Sequence, residues 1–244
     1  MRRLLSPVRE ATRNRAEILG CNYPFFTGTD LADAVRTGGD IHAGWGEISA
    51  NSINIAARYW MNRTLFQCDP DFALCRSPET ADDPEMFDLR PVLVYSMPDD
   101  REPGDRNRAL VGRDIGRSQI EVLLSLILVS AGSINLSDRM TRLNEEGLEL
   151  ARKVVSAEPG ETAVPLDLFE QEHARFWLQK IPGGHRLLLV NWENEPQELA
   201  FDLKRHGLPP GDAVDFWRGR RIGCRGGRVE ALLPPRSCLL LEFR

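Results

Sequence analysis

The hydrophobic pattern of this 244-residue chain changes period near Ala157, and no single regular architecture accommodates both halves. Before that point, stretches of helical spacing alternate with short apolar segments that run into polar or glycine residues. Leu4, Leu5, Val8 and Ala11 predict a helix over 3–15. An apolar strand over 16–21 then ends in Asn22-Tyr23-Pro24, and 31–41 repeats that pattern. A helix is expected over 48–62, followed by the strand TLFQC and the polar turn Asp69-Pro70-Asp71. Residues 118–129 are apolar enough for a buried helix, 133–138 supply a further strand, and 140–155 read as an amphipathic helix. Such alternation predicts parallel βα units. The segment 77–113 is rich in Pro, Asp and Arg and interrupts them as a long loop with one candidate strand at 92–95.

Beyond the linker AEPGETAVP a period of two takes over, in ARFWLQKI, HRLLLVNW, QELAFDL, AVDFWRG, GRVEALL and SCLLLEF. Turns at 182–184, 209–211 and 225–227 separate these segments, which predicts an antiparallel β-sandwich of roughly six to seven strands. The expected division is parallel βα units over 1–157, with an irregular excursion at about 79–113, a linker at 158–172 and a sandwich over 173–244.

Charge and cysteine content narrow the partners. A net charge of −5 gives no electrostatic reason to expect nucleic acid or an anionic membrane face, while a neutral partner such as a carbohydrate stays open. Five scattered cysteines (Cys21, Cys68, Cys75, Cys224 and Cys238) contain no CxxC pair, so free buried thiols are expected rather than disulfides or a metal site. No cofactor is expected. The first fifteen residues lack the apolar stretch of a secretory leader, and the apolar run 122–131 is about half a membrane span, so a soluble, cytoplasmic protein is expected.

If 16–138 supplies four parallel strands, their C-terminal ends carry Cys21 and Asn22, Arg36 and Asp40, Asp69 and Asp71, and Ser137 and Asp138. In a (β/α)8 barrel the loops at those ends converge on one cleft. Several acidic groups facing one pocket suit glycoside hydrolysis, which needs a protonated carboxyl and an ionised carboxylate. Taken singly, each aspartate is better explained as a solvated turn residue or a helix N-cap.

The ordered strings ILGCNYP, VRTGGDIHAGW and YWMNRTLFQCDPDFALCRS resemble the α-galactosidase (melibiase) clan of glycoside hydrolase families 27 and 36, family 36 most closely. In that family a strand ending in Cys with a Pro three residues on is followed by Arg-x-x-x-Asp, by a strand ending in Asp-Pro-Asp, and by one ending in Ser-Asp. All four occur here in order, and PLDLFEQEHARFW, LLLVNWENEPQ and PPRSCLLLEF resemble the family's C-terminal sandwich.

The resemblance implies strands five to eight of a (β/α)8 barrel followed by that sandwich, in a retaining enzyme acting on terminal α-linked galactose or a related sugar. It implies Asp40 as general acid/base, Arg36 as a sugar-positioning group, and Asp71 as an acceptor from sugar hydroxyls. Asp69 would order the turn, while Cys21 and Asn22 would line the pocket. Trp45 is a candidate for stacking on the sugar, although core packing is the commoner role of tryptophan. The family nucleophile, an aspartate in a Lys-x-Asp context on the fourth strand, has no counterpart here. The chain alone is therefore expected to be inactive. A truncated reading frame is the favoured explanation, ahead of a split enzyme with a separate N-terminal half-barrel chain and a remnant that self-associates through its edges. A catalytically dead module binding carbohydrate or protein is the other functional expectation.

Overall fold

The computed structural model describes residues 2–83, 115–208 and 211–244, so the expected strand at 92–95 and most of the excursion lie outside the described residues, as does part of the turn at 209–211. Helix α1 (Arg2–Thr12) stops where Arg13 and Asn14 adopt left-handed backbone (φ 51° and 56°). Its apolar stripe is not buried, since Leu4 is 72% exposed and Val8 is exposed as well. Half-buried Leu5 packs against the cluster of Tyr23, Val35 and Phe66, and Arg2 pairs with Asp30 and Arg9 with Asp33, both at 2.6 Å.

Strands β1 (Leu19–Gly20), β2 (Ala34–Arg36) and β3 (Gln67–Asp69) form a parallel sheet in that order. Between β2 and β3 runs α2 (Trp45–Arg58), continued by a 3-10 turn at Tyr59–Met61. The helix begins earlier than its apolar spacing predicts because Gly44 serves as N-cap with no side-chain cap, leaving no sequence signal for the start. At Asp69-Pro70-Asp71 the chain does not turn away as expected. Pro70 lacks an N–H and Asp71 sits at φ 73°, so the strand kinks out of its ladder with β2 and resumes as β4 (Phe72–Ala73). There it pairs in parallel with β5 (Asn135–Leu136). Neighbour order thus follows chain order from β1 to β5, in two short ladders joined by the kink.

Helix α3 (Arg117–Ser130) precedes β5, and α4 (Glu145–Ser156) follows it, capped by the Asn144 side chain accepting from the Gly147 N–H. All of 120–130 is buried in α3, as expected of a helix apolar on every side. Its one charge there, Glu121, is paired with Arg117 at 3.1 Å and Arg218 at 3.0 Å. The helix ends at Ala131 in left-handed backbone, and a Cβ on the next residue, Gly132, would lie 2.6 Å from the Cys68 carbonyl oxygen. Only glycine lets the chain pass that closely over β3 on its way to β5.

The antiparallel part contains β6 (Val164–Pro165), β7 (Phe176–Ile181), β8 (Gly184–Asn191), β9 (Gln197–Asp202), β10 (Ala213–Asp215), β11 (Arg221–Ile222), β12 (Arg228–Leu233) and β13 (Ser237–Phe243). Six of them form one sheet in the order β11-β10-β13-β8-β7-β6, and β9 and β12 form a separate ribbon. On one face Leu187, Leu189, Leu239 and Leu241 pack with Leu199, Phe201 and Val229 of the ribbon. On the other, Leu188, Val190, Leu240 and Trp177 join one apolar cluster with α2 and α3. Strands covered on both faces read as unbroken apolar runs, which is why LLLV and CLLL lack strict alternation. Trp217 is buried in the same cluster and donates from Nε1 to Ser125 Oγ of α3 at 2.9 Å. Burying roughly 200 Å² of such a ring is worth about 5 kcal/mol. Among the described residues no helix is long and apolar enough to cross a membrane.

Candidate active-site cluster at the ends of the parallel strands

The register of β2 on β3 pairs Arg36 with Asp69, so both side chains leave the sheet at the same end. Thr37 extends the ladder, its N–H donating to the Asp69 carbonyl at 2.9 Å. From there the Arg36 guanidinium meets three carboxylates. Its Nη1 lies 2.9 Å from Asp40 Oδ1, its Nη2 2.8 Å from Asp71 Oδ1 and its Nε 3.4 Å from Asp69 Oδ2. A planar fork with five N–H donors can serve several carboxylates at once, which a lysine ammonium cannot do in this geometry.

Each acid sits differently. Asp69 Oδ1 accepts from the Asp71 N–H and from Asn135 Nδ2, both at 3.0 Å, which orders the kink and ties β3 to β5. Asp71 is buried, and its Oδ2 accepts from the Ile41 N–H at 2.5 Å, drawing the 37–41 loop against β3. Asp40 projects from that loop with its side chain 77% exposed. Helix α2 braces the kink from behind, with Asn51 Nδ2 donating to the Pro70 carbonyl at 2.7 Å. Gly38 makes room for it, because a Cβ there would stand 1.7 Å from Asn51 Oδ1.

The crowding of acids sets the electrostatics. Burial would lower the Arg36 pKa, but Asp71, Asp40 and Asp69 beside it push it above its ordinary value. For Asp71 burial is the largest influence and raises the pKa, with Asp69 and Asp40 adding to it; the Ile41 N–H and Arg36 pull the other way without cancelling the rise.

Of the residues singled out in the sequence, Arg36, Asp40, Asp69 and Asp71 are brought together. Cys21 is exposed in the turn after β1, close enough to act electrostatically on Arg36, and Asn22 next to it is exposed in left-handed backbone (φ 53°). Asp71 is buried, with Oδ2 accepting from the Ile41 N–H and Oδ1 lying 2.8 Å from Arg36 Nη2 without making a hydrogen bond. Trp45 is buried with its ring 5.5 Å from that of Trp192 and 5.7 Å from the Arg236 guanidinium, so its ring packs inside the molecule instead of facing a ligand. Asp138, two residues beyond β5, has a fully buried carboxylate paired to Arg76 at 2.8 Å, and it accepts from the Cys75 N–H.

Asn135 is invisible to sequence reasoning. An isolated asparagine before Leu-Ser-Asp carries no signal, and only the β4–β5 ladder brings it to Asp69. All five cysteines are free, and burial pushes the thiols of Cys68, Cys75 and Cys238 up to about 12, which makes them packing groups rather than nucleophiles.

No protein-family model matches the chain, and no curated protein matches it in sequence. Solved structures do match in fold. A GH27 β-L-arabinopyranosidase from Geobacillus stearothermophilus, in complex with arabinose, superposes with a TM-score of 0.64 at 14% identity, over 88% of this chain and 46% of that one. A putative α-galactosidase from Bacteroides fragilis gives 0.64 at 13% identity, over 98% and 50%. The α-galactosidase I of Mortierella vinacea gives 0.60 at 12% identity, over 90% and 55%. The chain thus shares its fold with α-galactosidase-type structures, in keeping with its ordered sequence strings, and spans about half of their length.

Proposed function

We propose that the chain supplies the acid/base side of a retaining α-galactosidase-type glycoside hydrolase site. In this reading the parallel units form strands five to eight of a (β/α)8 barrel, and residues 173–244 form the attached β-domain. The observation that carries it is the Arg36 fork, which gathers carboxylates from two neighbouring strand ends and leaves one of them, Asp40, facing solvent.

The chemistry rests on that asymmetry. Arg36 holds Asp40 through Oδ1, and among the described residues no hydrogen bond is made by Oδ2. That oxygen is the one that would carry the proton to the glycosidic oxygen as the C–O bond breaks. Asp40, then ionised, would take a proton from the water that releases the sugar. Retention requires a second carboxylate about 5 to 5.5 Å from the first, acting as nucleophile on the anomeric carbon. That group would come from residues outside this sequence. Asp71 Oδ1, paired with Arg36 but making no hydrogen bond, would accept from a sugar hydroxyl.

The test is hydrolysis of an aryl α-galactoside by the chain alone and by the chain co-expressed with residues encoded immediately upstream of Met1. No turnover is expected from the chain alone, and turnover is expected from the combination. Asp40→Asn should lower the combined activity at least about 100-fold, the usual worth of a positioned general acid. Turnover by the chain alone, or an Asp40→Asn combination as active as the parent, would overturn the assignment.

A further inference from the structure

A second concave site lies in the antiparallel part and shares no residue with the Arg36 cluster. It is a cleft of about 420 Å³ between the loop leading into β7 and the β8–β9 connection. That volume falls within the range of small-molecule sites.

Both walls are set before any ligand arrives. The loop wall closes on Asp167, only 6% exposed, whose Oδ1 accepts from the N–H groups of Arg175 at 3.0 Å and Phe176 at 3.2 Å. The opposite wall is fixed by Asn191, only 1% exposed, whose Nδ2 donates to the carbonyls of Glu195, Leu233 and Pro234 and whose Oδ1 accepts from the Glu193 N–H. Trp192 joins the walls, donating from Nε1 to the Ala174 carbonyl at 3.0 Å while its ring packs 5.1 Å from His173.

Against this rigid frame the lining has spare hydrogen-bonding capacity. The side chains of Gln171, Glu172, Glu193 and Gln197 all border the cleft, and among the described residues none makes a hydrogen bond or ion pair within the chain. Two amides offer donors and acceptors, and two carboxylates offer acceptors only. The half-buried Trp192 ring adds an apolar surface. Planar polar groups around a small apolar patch match a molecule with many hydroxyls on a C–H framework. The two glutamates disfavour an anion.

We propose that this cleft is a second carbohydrate site that takes a neutral mono- or disaccharide, independent of catalysis at the Arg36 cluster. The test is NMR titration of the full ¹⁵N-labelled chain with D-galactose, L-arabinose and raffinose in turn. At least one sugar should give saturable shifts in the Gln171 and Gln197 side-chain amides and the Trp192 indole. The exposed-site double variant Glu172→Ala/Gln197→Ala should weaken that binding at least tenfold with an unchanged thermal transition. Asp40→Asn should leave it unchanged, which separates this site from the proposed catalytic one. Saturation by none of the three sugars, an unaltered Kd in the double variant, or shifts of these resonances by phosphate or a lysine-rich peptide but not by sugar would overturn the proposal.

Discussion

The parallel and antiparallel parts of the chain are built on opposite terms. Parallel strands β1 to β5 are two or three residues long, and their ends carry the polar cluster, whereas β8 and β13 run eight and seven residues with apolar packing on both faces. Order in the first part comes from side chains gripping backbone: Asp71 on the Ile41 N–H, Asp69 on the Asp71 N–H, Asn51 on the Pro70 carbonyl. Order in the second comes from buried area. The exposed Asp40 of the first part and the buried sheet of the second should therefore respond differently to substitution, with the buried members of the Arg36 cluster in between.

The largest effect should come from the apolar side. Trp217→Ala removes a fully buried ring and its bond to Ser125, and should cost about 4 kcal/mol in urea unfolding, within the range for large-to-small changes in a core. A loss below about 1 kcal/mol would mean that the sheet and α3 do not depend on each other.

Next is Arg36→Ala, which strips the guanidinium from the buried Asp69 and Asp71 and should cost about 3 kcal/mol, as expected when one partner of a buried ion pair is removed. Adding Asp71→Asn should restore part of the loss by removing a stranded charge. The pH dependence sharpens the point. With its pKa raised, folded Asp71 holds a proton that the unfolded chain has already released, so stability falls as pH climbs from its ordinary value of 3.8 through the raised one. In Asp71→Asn that slope should vanish from the stability–pH curve.

The smallest effect on stability should belong to Asp40→Asn. Its carboxylate is 77% exposed, and an exposed pair is worth less than about 1 kcal/mol. A residue proposed to matter most for catalysis should therefore matter least for folding, and a large drop in the unfolding midpoint would break that contrast.

Legibility in the sequence splits along the same divide. Antiparallel segments are legible as strands because runs such as FWLQKI are short and apolar, though the burial of Gln179 on the same face as Trp177 and Ile181 is not. The asymmetry of that part, six strands against two with α3 covering the remaining face, is not legible, because periodicity reveals that a face is buried and not what buries it. In the parallel part, the apolar residues of α2 and α3 disclose both helices, but TLFQC is strand only from Gln67, and the polar Asp69-Pro70-Asp71 triplet hides the continuation of the strand into β4. Strands of two residues carry too little pattern to be seen. The acids at their ends stand out through motif order, while Asn135, which anchors Asp69 from across a ladder, depends on a pairing that no local pattern encodes.

The position of α3 has a consequence for how such a protein could be rearranged by recombination. Excising residues 173–244 as a cassette would lay bare Leu188, Val190, Trp177 and Leu240, all of which lie in the cluster that contains α3. A fusion that inherits only the C-terminal strands would thus start with a sticky, half-clothed sheet. A graft that carries 117–130 along would bring its own cover.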